Sequence, residues 1–253
     1  MDSLEQLLKN KFGKRNIFSR EELWDFFREN ESDLKKSTFG WRIHNLKNRQ
    51  VLTALGGGRY TLESQPSYEP KLSPTALEIA SIVASNYAAV QYCVWETNWL
   101  NEFTLHQTTR SMLIVEIEKE YAESLFYLLK DNIDSGIFLN PGRTEIELYI
   151  PESNHPVIIK KFISRSPVQS SESHVPAIKS PSIEKILVDI YAEKKLFTPY
   201  QGSELLHIFR SAFETYLVNT TRMLSYARRR ETQAGLEEFM KEHFPQFLKV
   251  DSI

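Results

Sequence analysis

Hydrophobic positions in the first part of the chain recur at helical spacing and then change to a strand-like pattern. Leu4, Leu7, Leu8 and Phe12 follow the i, i+3, i+4, i+8 rule of a helix with one apolar face. Ser19-Arg20-Glu21-Glu22 reads as a capping box, with Ser19 as N-cap, Glu22 three residues in, and Phe18 at the staple position before it. Leu23, Phe26 and Phe27 supply the buried face of the second helix, with Trp24 nearby. After Asn30-Glu31-Ser32-Asp33 the pattern predicts a third helix from about Leu34 to Arg49. Two β-prone runs follow, Val51 to Leu55 and Arg59 to Leu62. They are joined by Gly56-Gly57-Gly58, which can supply the positive φ of a hairpin turn. Three helices and a hairpin in this order are the outline of a winged helix-turn-helix, a class of DNA reader.

Beyond this module the pattern alternates. Glu63 to Pro70 is polar and Pro-punctuated, as a linker would be. Ser73-Pro74 opens a helix with Pro at its first position, running to about Tyr87. Gln91–Trp95, Met112–Ile117, Ile137–Leu139, Glu145–Ile150 and Val157–Ile163 are predicted strands. Thr97–Phe103 and Tyr121–Lys130 are predicted helices, and Arg165–Pro176 a polar loop. The end of the chain is helical: Ser182–Glu193, Gly202–Tyr216, Asn219–Arg230 and Leu236–Phe244. Interleaved helices and strands imply a central sheet with helical cover. The expected fold is therefore α+β or α/β, with residues 1–65 a winged helix-turn-helix and 70–253 a larger mixed domain, helical from about 181.

The length allows one large domain or two smaller ones. The chain has 253 residues, 41% hydrophobic and 12% aromatic, enough for a packed core. One cysteine, Cys93, excludes an internal disulfide framework and reads as a core residue. No apolar run approaches the roughly 20 residues that span a bilayer, and the first residues read as an amphipathic helix without a signal peptide's apolar stretch. The expectation is a soluble, cytoplasmic protein with no membrane association.

Charge changes the picture more. The formal net charge is -2, yet the 25 residues from Lys35 to Arg59 carry six cations (Lys35, Lys36, Arg42, Lys47, Arg49 and Arg59) and no Asp or Glu. Such a stretch in an acidic protein points to a local polyanion site. At about 100° per residue, Phe39, Ile43, Leu46 and Gln50 share one stripe of the third helix. Thr38, Arg42, Asn45 and Arg49 share another, roughly 100° away, flanked by Trp41 and Lys35. Hydroxyl, guanidinium and amide groups are those that pair with base edges and phosphates in a major groove. Arg59 and Tyr60 on the wing are expected to reach neighbouring phosphates or the minor groove.

Other chemistry is sparse. Gly56-Gly57-Gly58 leads into a strand, which excludes a phosphate-binding loop. The six histidines show no metal-ligand spacing, and no nucleophile elbow occurs. Glu116 with Glu118, and Glu145 with Glu147, would each share a strand face; such pairs can hold a divalent cation but read here as solvent-facing positions. Trp95 to His106 is aromatic and polar together, either a pocket wall or a packed strand end. Arg228-Arg229-Arg230 ends a helix, where dipole complementation or contact with nucleic acid or an acidic partner explains it. No cofactor or metal is expected.

Three segments carry a resemblance to a known family. Arg42-Ile43-His44-Asn45-Leu46-Lys47 with Gly58-Arg59-Tyr60-Thr61-Leu62, then Trp95-Glu96-Thr97 to His106, then Ser180 to Asp189 with Tyr216-Leu217-Val218-Asn219 and Tyr226-Ala227-Arg228-Arg229, resemble the AbiEi-type antitoxins of type IV toxin–antitoxin systems. The resemblance implies operator DNA as one partner, autorepression through the winged helix, and neutralisation of a nucleotidyltransferase-like toxin by the larger part. A divergent nucleotidyltransferase or nuclease using a glutamate pair, and a ligand-sensing regulator with a pocket along Trp95 to His106, are the alternatives.

Overall fold

A computed structural model describes residues 3–13, 17–49, 51–62, 66–171 and 177–248. Gln50, Glu63 to Gln65 of the expected linker and Glu172 to Pro176 of the expected loop lie outside these described residues. The fold is α+β.

The first module runs α1 (Ser3–Phe12), β1 (Phe18–Ser19), α2 (Arg20–Asn30), α3 (Lys36–Asn48), β2 (Thr53–Gly56) and β3 (Arg59–Thr61), with antiparallel sheet order β1-β3-β2. This is the winged helix-turn-helix arrangement, with one short strand, β1, that the apolar pattern does not signal. Both halves of the capping box form: Glu22 N–H donates to Ser19 Oγ at 3.0 Å, and Ser19 N–H donates to Glu22 Oε2 at 2.7 Å. Leu8, Phe12, Phe18, Leu23, Phe26, Phe27, Phe39, Ile43 and Leu46 form its core.

The larger part builds a four-stranded sheet of order β4-β5-β7-β6 from β4 (Tyr92–Glu96), β5 (Leu113–Ile117), β6 (Ile137–Leu139) and β7 (Val157–Lys161). Strand β4 is antiparallel to β5, and the other pairings are parallel. Alternate side chains enter two different cores. Tyr92, Val94, Leu113, Val115, Val157 and Ile159 pack under α4 (Pro74–Asn86) and α5 (Ala122–Asn132). Trp95, Ile114 and Ile158 pack under α7 (Ile183–Ala192), α8 (Ser203–Thr215), α9 (Thr220–Arg229) and α10 (Gln233–His243). Among the described residues no helix is long and apolar enough to cross a membrane.

Two expectations fail here. Glu145–Ile150 is not a strand: Glu145–Tyr149 is π-helical and runs into the short helix α6 (Ile150–Glu152). The alternation of Glu145-Ile146-Glu147-Leu148 imitates period two, but only Ile146 and Ile150, one helical turn apart, face the core; Leu148 and Tyr149 are exposed. Glu145 and Glu147 consequently share no strand face. Within the expected loop, β8 (Val168–Ser171) pairs antiparallel with β9 (Ile178–Pro181) in a separate two-stranded ladder, of which β9 lies against β4.

Candidate nucleic-acid interface

Helix α3 is anchored by Phe39, Ile43 and Leu46. The Phe39 ring meets Trp24 and Phe27 edge-on at 5.0 and 5.8 Å. At about 100° per residue, the face directly opposite carries Ser37, Trp41, His44 and Asn48. All four are exposed, Trp41 at 64%. Asn48 Nδ2 lies 3.0 Å from His44 Nε2, so amide and imidazole are held as a pair. Lys35 and Lys36 stand exposed at the start of the helix, where Lys35 provides no side-chain cap and no acid occupies the first turn. Cations at the positive end of a helix dipole do nothing for the helix itself.

The stripe expected from the sequence lies on one flank of that face. Thr38, Arg42 and Asn45 are half-buried and Arg49 is exposed. Arg42 pairs with Glu31 of the α2 end at 2.6 Å and stacks over the Phe27 ring at 5.6 Å. Arg49 pairs with Glu5 of α1 at 2.5 Å. Lys47, on the other flank, is exposed and borders a cleft of about 560 Å³ shared with Arg222 and Asn219 of the larger part. The outermost residues Ser37, His44 and Asn48 were missed; their position opposite Phe39, Ile43 and Leu46 on the helical wheel would have found them.

The wing residues require a correction. Arg59 and Tyr60 are 5% and 7% exposed and cannot reach a nucleic acid in this arrangement. Arg59 turns toward the C-terminal helices, where its Nη2 donates to Thr220 Oγ1 and its Nη1 to the Gln246 carbonyl, each at 2.9 Å. Tyr60 closes the core of the module and its hydroxyl accepts from Arg20 Nη1 at 3.3 Å. The hairpin turn is also occupied: Gly57 N–H donates to Thr221 Oγ1 at 2.9 Å. A free wing reaching for a groove is therefore replaced by a docked one.

Arg228 and Arg229 are exposed, but Arg230 folds back, 3.4 Å from Asp189 and paired with Glu193. Asp189 belongs to a buried network. Lys185 Nζ, at 0% exposure, donates to Glu116 Oε1 at 2.6 Å, Asp189 Oδ2 at 2.5 Å and Tyr226 Oη at 3.2 Å. Lys160 pairs with Glu193 at its edge. Three cations face three carboxylates, so the cluster is charge-balanced as a buried set must be. Glu116 is accordingly a buried ion-pair partner, not a solvent-facing residue. Glu118, outside the strand, accepts from Gln91 N–H at 2.9 Å.

The Trp95 to His106 segment is packing more than pocket. Trp95, Leu100 and Phe103 are buried, and Glu96 accepts from Ser73 N–H and Ser73 Oγ at 2.8 and 2.7 Å, securing the start of α4. Among the described residues no group of His, Cys, Asp or Glu could hold a metal ion.

No curated protein matches the chain. A family described only as being of unknown function, DUF6577, matches residues 38–246. That match starts inside α3 and runs across the docked wing into the last helices, so one family unit spans the seam between the two modules. The chain belongs to the DUF6577 family.

Proposed function

We propose that this protein is a sequence-specific, double-stranded-DNA-binding transcriptional repressor that reads its operator with the outer face of α3. The observation that carries this reading is the exposed stripe Ser37, Trp41, His44 and Asn48, bordered by Lys35, Lys36 and Lys47 and free of acidic residues. Arg42 and Arg49 add to it, held on the flank of this face by their pairs with Glu31 and Glu5. The resemblance to AbiEi-type antitoxins extends the proposal: the repressor acts on its own operon, and its larger part binds a nucleotidyltransferase-like toxin. Exposed Arg228 and Arg229 are the contact we assign to that partner or to flanking DNA.

Fluorescence anisotropy with the chain's own upstream DNA and a scrambled duplex tests the first claim. Binding should favour the upstream sequence and weaken steeply with salt as Lys and Arg release counterions. Equal, salt-insensitive or absent binding overturns it. Co-expression with a nucleotidyltransferase-like product of a neighbouring gene tests the second: growth rescue supports neutralisation, and continued toxicity despite expression of both chains rejects it.

A further inference from the structure

A cavity of about 390 Å³ opens between the π-helical segment, the chain entering β5 and the turn after α7. Its size lies in the roughly 300–1,000 Å³ range of small-molecule sites. Met112, Ile146, Ile150, Leu196 and Pro199 give it an apolar floor. Around it stand three cations, Arg110, Arg143 and Lys195, and one carboxylate, Glu147.

The charges do not cancel. Arg143 Nε donates to Glu147 Oε1 at 2.7 Å, which uses the only carboxylate of the lining. Arg110 donates to the Pro151 carbonyl, a neutral dipole. Among the described residues neither Arg110 nor Lys195 has a carboxylate partner, and both side chains are exposed. Two uncompensated cations beside an apolar hollow, in the acidic part of the chain, favour a ligand with an anionic head and an apolar body. An inorganic anion would leave the floor wet, and a neutral hydrocarbon would gain nothing from the cations. The wall itself is unusual: the Ile150 N–H bonds to the Glu145 carbonyl, five residues back, a π register that recurs at functional sites.

We propose that this cavity binds a small organic carboxylate carrying an aryl or alkyl body, with Arg110 and Lys195 holding the carboxylate and Ile146, Ile150 and Leu196 receiving the body. The proposal does not depend on the DNA-binding reading.

Titration calorimetry on the full chain without DNA, using 2-naphthoate and its uncharged isostere 2-naphthamide, provides the test. Naphthoate should bind in a 1:1 ratio at least about tenfold more tightly than the amide. Lys195→Glu, on an exposed and unpaired side chain, should abolish most of that preference while leaving the thermal midpoint unchanged. Ile146→Trp should block both compounds; if it lowers the midpoint, Leu196→Phe serves in its place. Equal affinity for the two compounds, absence of saturable naphthoate binding, or binding indifferent to Lys195→Glu and to the filling variants would each overturn the proposal.

Discussion

Arg59 of the wing and Thr220 of the first turn of α9 are joined by a 2.9 Å hydrogen bond inside a buried seam. Thr220 passes the connection on, its Oγ1 donating to the Leu55 carbonyl at 3.2 Å. Burial pushes the Arg59 guanidinium down to about 10, because only neutral dipoles receive it. The N-terminal module and the larger part are thereby held in one arrangement.

Breaking this seam should be measurable as stability. Thr220→Val keeps the shape but leaves a buried guanidinium N–H and the Leu55 carbonyl without partners, an expected loss of about 2–3 kcal/mol. Urea unfolding of the full chain reads it directly. The excised fragment 1–65 loses the same partners and should melt below the full chain. A fragment as stable as the module in place would show that the seam contributes nothing.

Gly56→Ala should unseat the wing by a different route. Gly56 sits at φ +88°, and an added Cβ would lie 2.8 Å from Asn219 Oδ1 and 3.0 Å from Thr221 N. The left-handed backbone alone is unfavourable by about 1–2 kcal/mol for a residue with a Cβ. Faster amide exchange at Gly57, whose N–H is held by Thr221, is the expected signature.

The buried network should make stability depend on pH at both the acid and the alkaline end. Burial alone would lower the Lys185 proton affinity, but the charges of Asp189 and Glu116 reverse this and hold it well above 10.5. Its contribution is complete below pH 10.5 and is lost as pH rises through the higher folded value. For Asp189, burial is outweighed by Lys185 and Arg230, which leave it below 3.8; its contribution is present above pH 3.8 and lost as pH falls through the folded value. Glu116 is raised from 4.5, chiefly by burial, and so offsets part of that acid loss. Lys185→Met leaves Glu116 buried without its cation partner and Asp189 with Arg230 alone, and should cost about 3–5 kcal/mol. Glu116→Gln, which a solvent-facing position would tolerate, should also destabilise. Urea midpoints at neutral pH measure both substitutions.

The three consecutive arginines should separate in function. Arg228→Ala with Arg229→Ala should leave stability within about 0.5 kcal/mol, as exposed positions do, and slow association with the partner or with DNA. Arg230→Ala removes a cation from Asp189 and Glu193 and should cost about 2–3 kcal/mol. Stopped-flow association and thermal melts of the two variants distinguish these roles.

On the reading face, Trp41→Ala should weaken operator binding by about 1–3 kcal/mol without a change in melting, since its ring is 64% exposed. Arg42→Ala should relax specificity while also releasing Glu31. Anisotropy titrations on the upstream duplex and a mismatched one compare the two.

The outline of the fold could be read from the sequence wherever one chemical signal dominated. Ser19 and Glu22 marked α2, and Ser73-Pro74 marked α4. Period-two spacing failed for Glu145 to Ile150, where the tertiary packing of Ile146 and Ile150 outweighed local alternation. Part of the candidate interface was visible in the charge pattern, since Lys35, Trp41, Arg42 and Arg49 do lie on or beside the solvent side of α3. Arg59 was misplaced because its partners, Thr220 and Gln246, are distant in the chain, and one sequence carries no trace of that pairing. The same distance hid Glu116 from Lys185.

Helix α9, about 15 Å long, is fastened at its start to the wing through Thr220 and followed at its end by Arg230, which grips Asp189 and Glu193 of α7 and the residue after it. Transplanting only residues 1–65 from a relative would therefore install a hairpin cut to fit someone else's helix. A well-folded chimera has to carry Asn219 to Thr221 and the Gln246 region along with the N-terminal module. The unit to exchange in this chain is a discontinuous one.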